Sequence, residues 1–155
     1  MNFLILFLLI IILIITLGVW RTWQIQSDLR QKMFLNGIVP NPLPDGFYNG
    51  TVSGQKSSWL GKKFDSKNAT GINVFNSGFE LKNERHPFIT YQGKGLLDKS
   101  SDVLKIDYNI KDNPFWLKFI VDEIVQIEKD KYLGKMVLRI IPGFPFSVLY
   151  FEITK

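Results

Sequence analysis

Few residues in this 155-residue chain have side chains suited to chemistry. His86 is its one histidine, and it contains no cysteine. A lone imidazole without thiols does not make a zinc site, and disulfides and cysteine nucleophiles are excluded outright. His86 precedes Pro87 in the charged stretch Lys82 to Pro87. No serine or carboxylate motif surrounds it, so it reads as a solvated surface side chain. Asp122 and Glu123 are adjacent, and in a regular strand adjacent side chains face opposite ways, which prevents them acting as an acid–base pair. A structural role is expected for them, such as pairing with Lys105 or Arg139. Asp107, on the polar face of its own strand, reads as solvated. The glycines of Gln92-Gly-Lys-Gly95 do not open a helix after a strand in the manner of a phosphate-binding loop, and they read as a bend. The chain is therefore expected to be no enzyme, with no catalytic residue, no metal and no cofactor.

The aromatic content is more informative. Inward-pointing rings in a small barrel either fill it or line an apolar pocket, and both arrangements have the same apolar inward faces. The candidate lining or lid residues are Tyr48, Trp59, Phe75, Tyr108, Trp116 and Phe119, with Arg139 as a polar companion. The net charge is +5, yet Lys and Arg are scattered among acidic residues, and the longest positive group holds only Lys56, Lys62 and Lys63. Weak attraction to anionic headgroups follows, and no nucleic-acid module is present.

The elements that must position these residues begin with the apolar run Phe3 to Trp20, in which no charge appears. A helix rising about 1.5 Å per residue crosses a hydrocarbon core of about 30 Å in roughly 20 residues. No basic n-region precedes the run and no small-residue cleavage site follows it, so a retained transmembrane anchor is expected rather than a signal peptide. Trp20 and Trp23 fall where the helix leaves the hydrocarbon. Arg21, Arg30 and Lys32 follow the span, which favours a single-pass protein with a cytoplasmic C-terminal domain. The loose helical spacing from Thr22 to Leu35 continues the anchor, and Asn36-Gly37 is a plausible stop. Pro40, Pro42 and Pro44 then stiffen a connector. The expected organisation is an anchor helix with its extension over 1–35, a connector over 36–45, and a β domain over 46–155.

From Gly46 onward the punctuation changes to short runs of period two. Strands are expected at Gly46 to Ser53, Trp59 to Asp65, Gly71 to Phe75, Phe88 to Gln92, Val103 to Ile110, Ile120 to Ile127, Tyr132 to Ile141 and Phe146 to Ile153. In the clearest, Leu104, Ile106, Tyr108 and Ile110 share one face. The alternation slips at Asp122-Glu123, as a bulge or bend would make it do. Turns are expected at Ser53-Gly54, Asn76-Ser77-Gly78, Asp98 to Asp102, Glu128 to Lys131 and Pro142-Gly143. Pro114 to Phe119 reads as a short helical turn that either lids the barrel mouth or plugs the core. About eight strands without intervening helices make an antiparallel meander, and closure into an up-and-down barrel hides its edges.

Gly46-Phe-Tyr-Asn-Gly50 followed by Trp59-Leu-Gly-Lys-Lys-Phe-Asp65 resembles the opening of the uncharacterised GXWXG-motif domains of bacteria and plants. Tyr108 to Trp116, Asp122-Glu123 and Leu133-Gly-Lys135 are similar to the second half of such proteins. The resemblance implies a lipocalin-like barrel over most of Gly46 to Lys155, with the anchor outside it. Tyr48 stands where the motif has Trp. The resemblance implies that this first-strand aromatic closes the barrel base under a cation, Arg139 or Lys155. Gly46 and Gly50 flank an inward aromatic, and Gly61 is expected to face the same side as Trp59 and leave room for its ring.

The function expected is a membrane-anchored, lipocalin-like barrel that binds an apolar small molecule such as a lipid, isoprenoid or pigment. The alternative is an accessory or structural subunit whose anchor packs on integral membrane partner subunits and whose barrel is filled solid. Expected partners are thus the lipid bilayer, an apolar ligand or membrane subunits, with no nucleic acid.

Overall fold

The structure, a computed structural model, describes residues 2–76 and 82–155. Eight antiparallel strands, β1 (Gly46–Val52), β2 (Trp59–Asp65), β3 (Thr70–Asn76), β4 (Lys82–Lys94), β5 (Asp102–Asp107), β6 (Ile120–Glu128), β7 (Lys131–Ile141) and β8 (Phe144–Thr154), follow one another round a closed barrel. The barrel closes where Asn49 to Val52 pair with Thr154 to Phe151. Closure leaves no long unpaired edge. The expected strands all occur, and β4 runs longer than its alternation suggested. The turn expected at Asn76-Ser77-Gly78 falls mostly outside the described residues.

Two register shifts decide what faces inward. On β2 the pairing with β3 slips between Trp59 and Gly61. Trp59 and then Lys62 and Phe64 consequently turn into the barrel, where strict alternation from Trp59 would have sent Lys62 outward. On β3 and β4 the slip leaves His86 as the extra residue between Arg85 and Pro87, with φ +62. No slip occurs at Asp122-Glu123, contrary to expectation. Both residues pair regularly with β5 and β7, so Asp122 faces in and Glu123 faces out.

One end of the barrel is filled. Tyr48, Phe64, Tyr132, Ile124, Leu104 and Ile153 belong to one buried cluster, and Leu43 of the proline-rich connector packs on it from outside the strands. Tyr48 meets Phe64 and Tyr132 edge to face, with ring centroids 5.8 and 5.3 Å apart. The cation beside Tyr48 is Lys155, whose Nζ lies 5.6 Å from the ring centroid. Arg139 is elsewhere, bonded to Asp107.

Two helices lie outside the barrel. α1 (Phe3–Gln26) is long and apolar enough to cross a membrane, with mean hydropathy 3.2 over its best window. It does not continue through Leu35 as expected. The chain breaks at Ser27, and α2 (Leu29–Asn36) restarts with Asp28 as its N-cap, whose carboxylate accepts from the Arg30 amide at 2.9 Å. Gly37 caps the end of α2, and Ile38 exchanges two backbone hydrogen bonds with Gln126.

A second buried cluster, on the outer face of the barrel, fastens the helices. Ile25 and Phe34 pack on Val103, Val125, Leu133 and Tyr150. Lys135, fully buried there, donates to Gln31 Oε1 at 2.7 Å and pairs with Asp98. Burial pulls the Lys135 ammonium below its ordinary pKa, while Asp98 holds it up.

The direction of α1 follows from its contacts. Gly18 is tight against the Phe146 ring, the Arg21 Nε–H donates to the Val148 carbonyl at 2.7 Å, and the Ser147 amide donates to Thr22 Oγ1 at 3.0 Å. Ile25 reaches the Tyr150 cluster. Helix and β8 therefore run the same way, from the end of the barrel where β8 begins. The stretch before Gly18 projects past that end.

Candidate functional site

The end from which α1 projects is the open end. Here β1, β3 and β7 finish, β2, β4, β6 and β8 begin, and the short 3-10 turn Phe115–Phe119 bridges β5 to β6. Between them lies a cavity of about 480 Å³. Its walls are mainly apolar, formed by Val52, Phe75, Leu117, Ile120, Met136 and Leu149, with Trp116 and Arg85 also lining it. The volume lies within the usual range for small-molecule pockets, about 300 to 1,000 Å³.

The cavity also carries a buried polar cluster. Lys62, 2% exposed, donates from Nζ to Asn73 Oδ1 at 3.0 Å, to Asp122 Oδ2 at 2.8 Å and to the Tyr108 hydroxyl. Tyr108 in turn donates to Asp122 Oδ2 at 2.9 Å. Asn73 Nδ2 donates to the Tyr108 hydroxyl at 3.1 Å and to the His86 carbonyl at 3.1 Å, and the Trp59 indole N–H donates to Asn73 Oδ1 at 3.0 Å. The rings of Trp59, Phe88, Tyr108 and Phe151 surround the ammonium at 5.1 to 5.4 Å from their centroids. Burial lowers the pKa of Lys62, with Asp122 opposing that shift. Burial, reinforced by the Asp122 charge, raises Tyr108 well above its ordinary value, so the phenol remains a donor.

Three donors on Lys62 meet three acceptors, and Tyr108, Asn73 and Trp59 use all their polar atoms. One atom is left over. Asp122 Oδ1 is buried and has no hydrogen-bond partner among the described residues.

The expected site residues divide cleanly. Trp59, Phe75, Tyr108 and Trp116 come together round the cavity. Tyr48 lies at the filled end, Phe119 packs edge to face on Phe115 at 5.0 Å, and Arg139 is bonded to Asp107 at 3.0 Å; these three do not line the cavity. Asp107 is thus buried and paired, where solvation was expected. Glu123 does meet Lys105, at 3.8 Å, as anticipated. His86 is not a free surface group. Its ring stands between Phe75 and Trp116, 5.8 and 6.1 Å between centroids, and burial with the neighbouring Arg85 charge lowers its pKa. Both influences favour the neutral ring.

Lys62, Asn73 and Asp122 were missed as a group. The signal that could have found them is Gly61, with φ +139, where an added Cβ would stand 1.9 Å from the Tyr48 carbonyl. A glycine required by such a close approach marks the bulge that turns Lys62 inward. The residue that makes room for the Trp59 ring is Gly50, where a Cβ would meet that ring at 2.5 Å, rather than Gly61.

Fold and site together define a closed eight-stranded antiparallel barrel, packed at one end and hollow at the other, with an apolar N-terminal helix along its outer wall. No family model matches the chain, and no curated protein matches it. Among solved structures it is similar to a crystal structure of a protein from Thermomonospora curvata, with a TM-score of 0.57 and 17% identity, over 94% of this chain and 95% of that one. At that identity the likeness shows the fold alone.

Proposed function

We propose that the chain is a single-pass, membrane-anchored, lipocalin-like barrel that binds, without catalysis, an apolar small molecule drawn from the bilayer. The observation that carries this reading is the shared end: the cavity opens where the apolar part of α1 projects. The helix before Gly18 rises only about 22 Å, whereas a hydrocarbon core is about 30 Å thick. A spanning helix must then use the turns that already lie against β8, which brings the barrel mouth down to the membrane surface. The rim suits that position. Phe115, Trp116 and Phe144 are 76, 60 and 62% exposed there, with Lys118 in the same 3-10 turn. Large exposed apolar groups beside a cation are what an interfacial surface requires. The motif likeness of β1 and β2 to GXWXG domains agrees with a lipocalin-like barrel.

The partner-subunit reading uses the same exposed helix but needs a solid interior, and the cavity weighs against it. Arg21, Arg30 and Lys32 after the span favour a cytoplasmic barrel. The test is organic extraction and native mass spectrometry of the full chain purified from membranes in mild detergent. An apolar molecule retained in equal amount with the protein is expected. A chain that yields none, and that takes up no apolar fluorophore, would overturn the reading.

A further inference from the structure

We infer that the cavity selects an apolar molecule ending in an uncharged hydroxyl, which donates its hydrogen to Asp122 Oδ1. This rests on the apolar-ligand reading and adds the chemistry of the ligand's polar end. Asp122 lines the cavity and is 2% exposed, and its Oδ1 is the one acceptor of the polar cluster that no protein donor reaches among the described residues. A buried carboxylate oxygen without a donor is unfavourable, and a ligand O–H supplies one.

The same cluster disfavours the charged alternatives. All three N–H groups of Lys62 are already engaged by Asn73, Tyr108 and Asp122, so an incoming carboxylate finds no free donor there and faces the Asp122 charge. An ammonium would sit beside Lys62, which already shares that carboxylate at 2.8 Å. An ether or ester has no hydrogen to donate. A neutral hydroxyl on a long chain or fused ring meets every requirement, whether it belongs to a fatty alcohol, a sterol or an acylglycerol.

The test uses the full chain in phosphatidylcholine nanodiscs containing equal mole fractions of dodecanol, dodecyl methyl ether and dodecanoate, with retained ligand read by native mass spectrometry after transfer to mild detergent. Dodecanol is expected to exceed its methyl ether about tenfold, the effect of one hydrogen bond to a charged group. Asp122→Asn should cut that ratio severalfold, and the comparison on the native chain stands even where this variant does not fold. Equal retention of alcohol and ether would overturn the hydroxyl requirement while leaving apolar binding intact. Preference for dodecanoate would overturn it too, and would move the polar end to Arg85 at the mouth. Retention of none of the three would overturn the ligand-binding reading, and this inference with it.

Discussion

Lys62 is the residue on which the interior depends. Taking an ammonium and a carboxylate out of water costs several kcal/mol per ion, and only close pairing with full hydrogen bonding offsets that cost. Here the pair is 2.8 Å apart and ringed by aromatic faces. Lys62→Met should lower stability by about 3 to 5 kcal/mol, because Asp122 would lose its buried cation. Lys62→Met combined with Asp122→Leu should recover most of that loss. Thermal and denaturant unfolding in detergent, followed by near-ultraviolet circular dichroism, would show both; a double variant as unstable as the single one would contradict this account. The lysine was hidden in the sequence because a surface lysine beside Lys63 looks the same as a buried one. Its burial depends on one extra residue before Gly61, and that residue reverses the parity of the strand.

At the scale of elements, the strands and the apolar helix were legible and their junctions were not. Leu104, Ile106 and Tyr108 do share the inward face, and the apolar run does form one helix. The break between α1 and α2 was missed because residues 22–35 keep a helical spacing through it. It is made by Asp28, whose carboxylate caps α2 and also binds the Arg30 side chain at 2.8 Å. The Arg30 hydrogen bonds hold Asp28 down to about 2. A carboxyl lowered in the folded state stabilises it above its unfolded pKa, near 4, and loses that contribution as the pH falls toward 2. Asp28→Ala should therefore cost about 1 kcal/mol at pH 5. At pH 2 much of the difference in melting temperature should be gone, and a constant difference between pH 5 and pH 2 would show that the cap's charge plays no part.

For the whole molecule, what matters is that helix and cavity share an end. The proposal places Trp116 and Phe115 at the bilayer surface and Tyr48 at the far end of the barrel. A chain in which Trp116 is the only tryptophan should be strongly quenched by lipids brominated on their acyl chains. In a background without other tryptophans, Tyr48→Trp should be quenched little. Equal quenching of the two, or none at Trp116, would separate the mouth from the membrane.

The sequence by itself determined the apolar helix, the order and number of strands, and the closure of the meander, because each is written in local periodicity and turn chemistry. It also placed Tyr108 on an inward face, since parity along a regular strand is a local property, and offered Trp59, Phe75 and Trp116 as lining or lid residues. Only the tertiary structure decided that Lys62 meets Asp122 inside the barrel, that His86 lies between two rings, and that α1 runs along β8 away from the open end. Those relations join residues far apart in the chain through bulges and packing, and no local pattern encodes the partner.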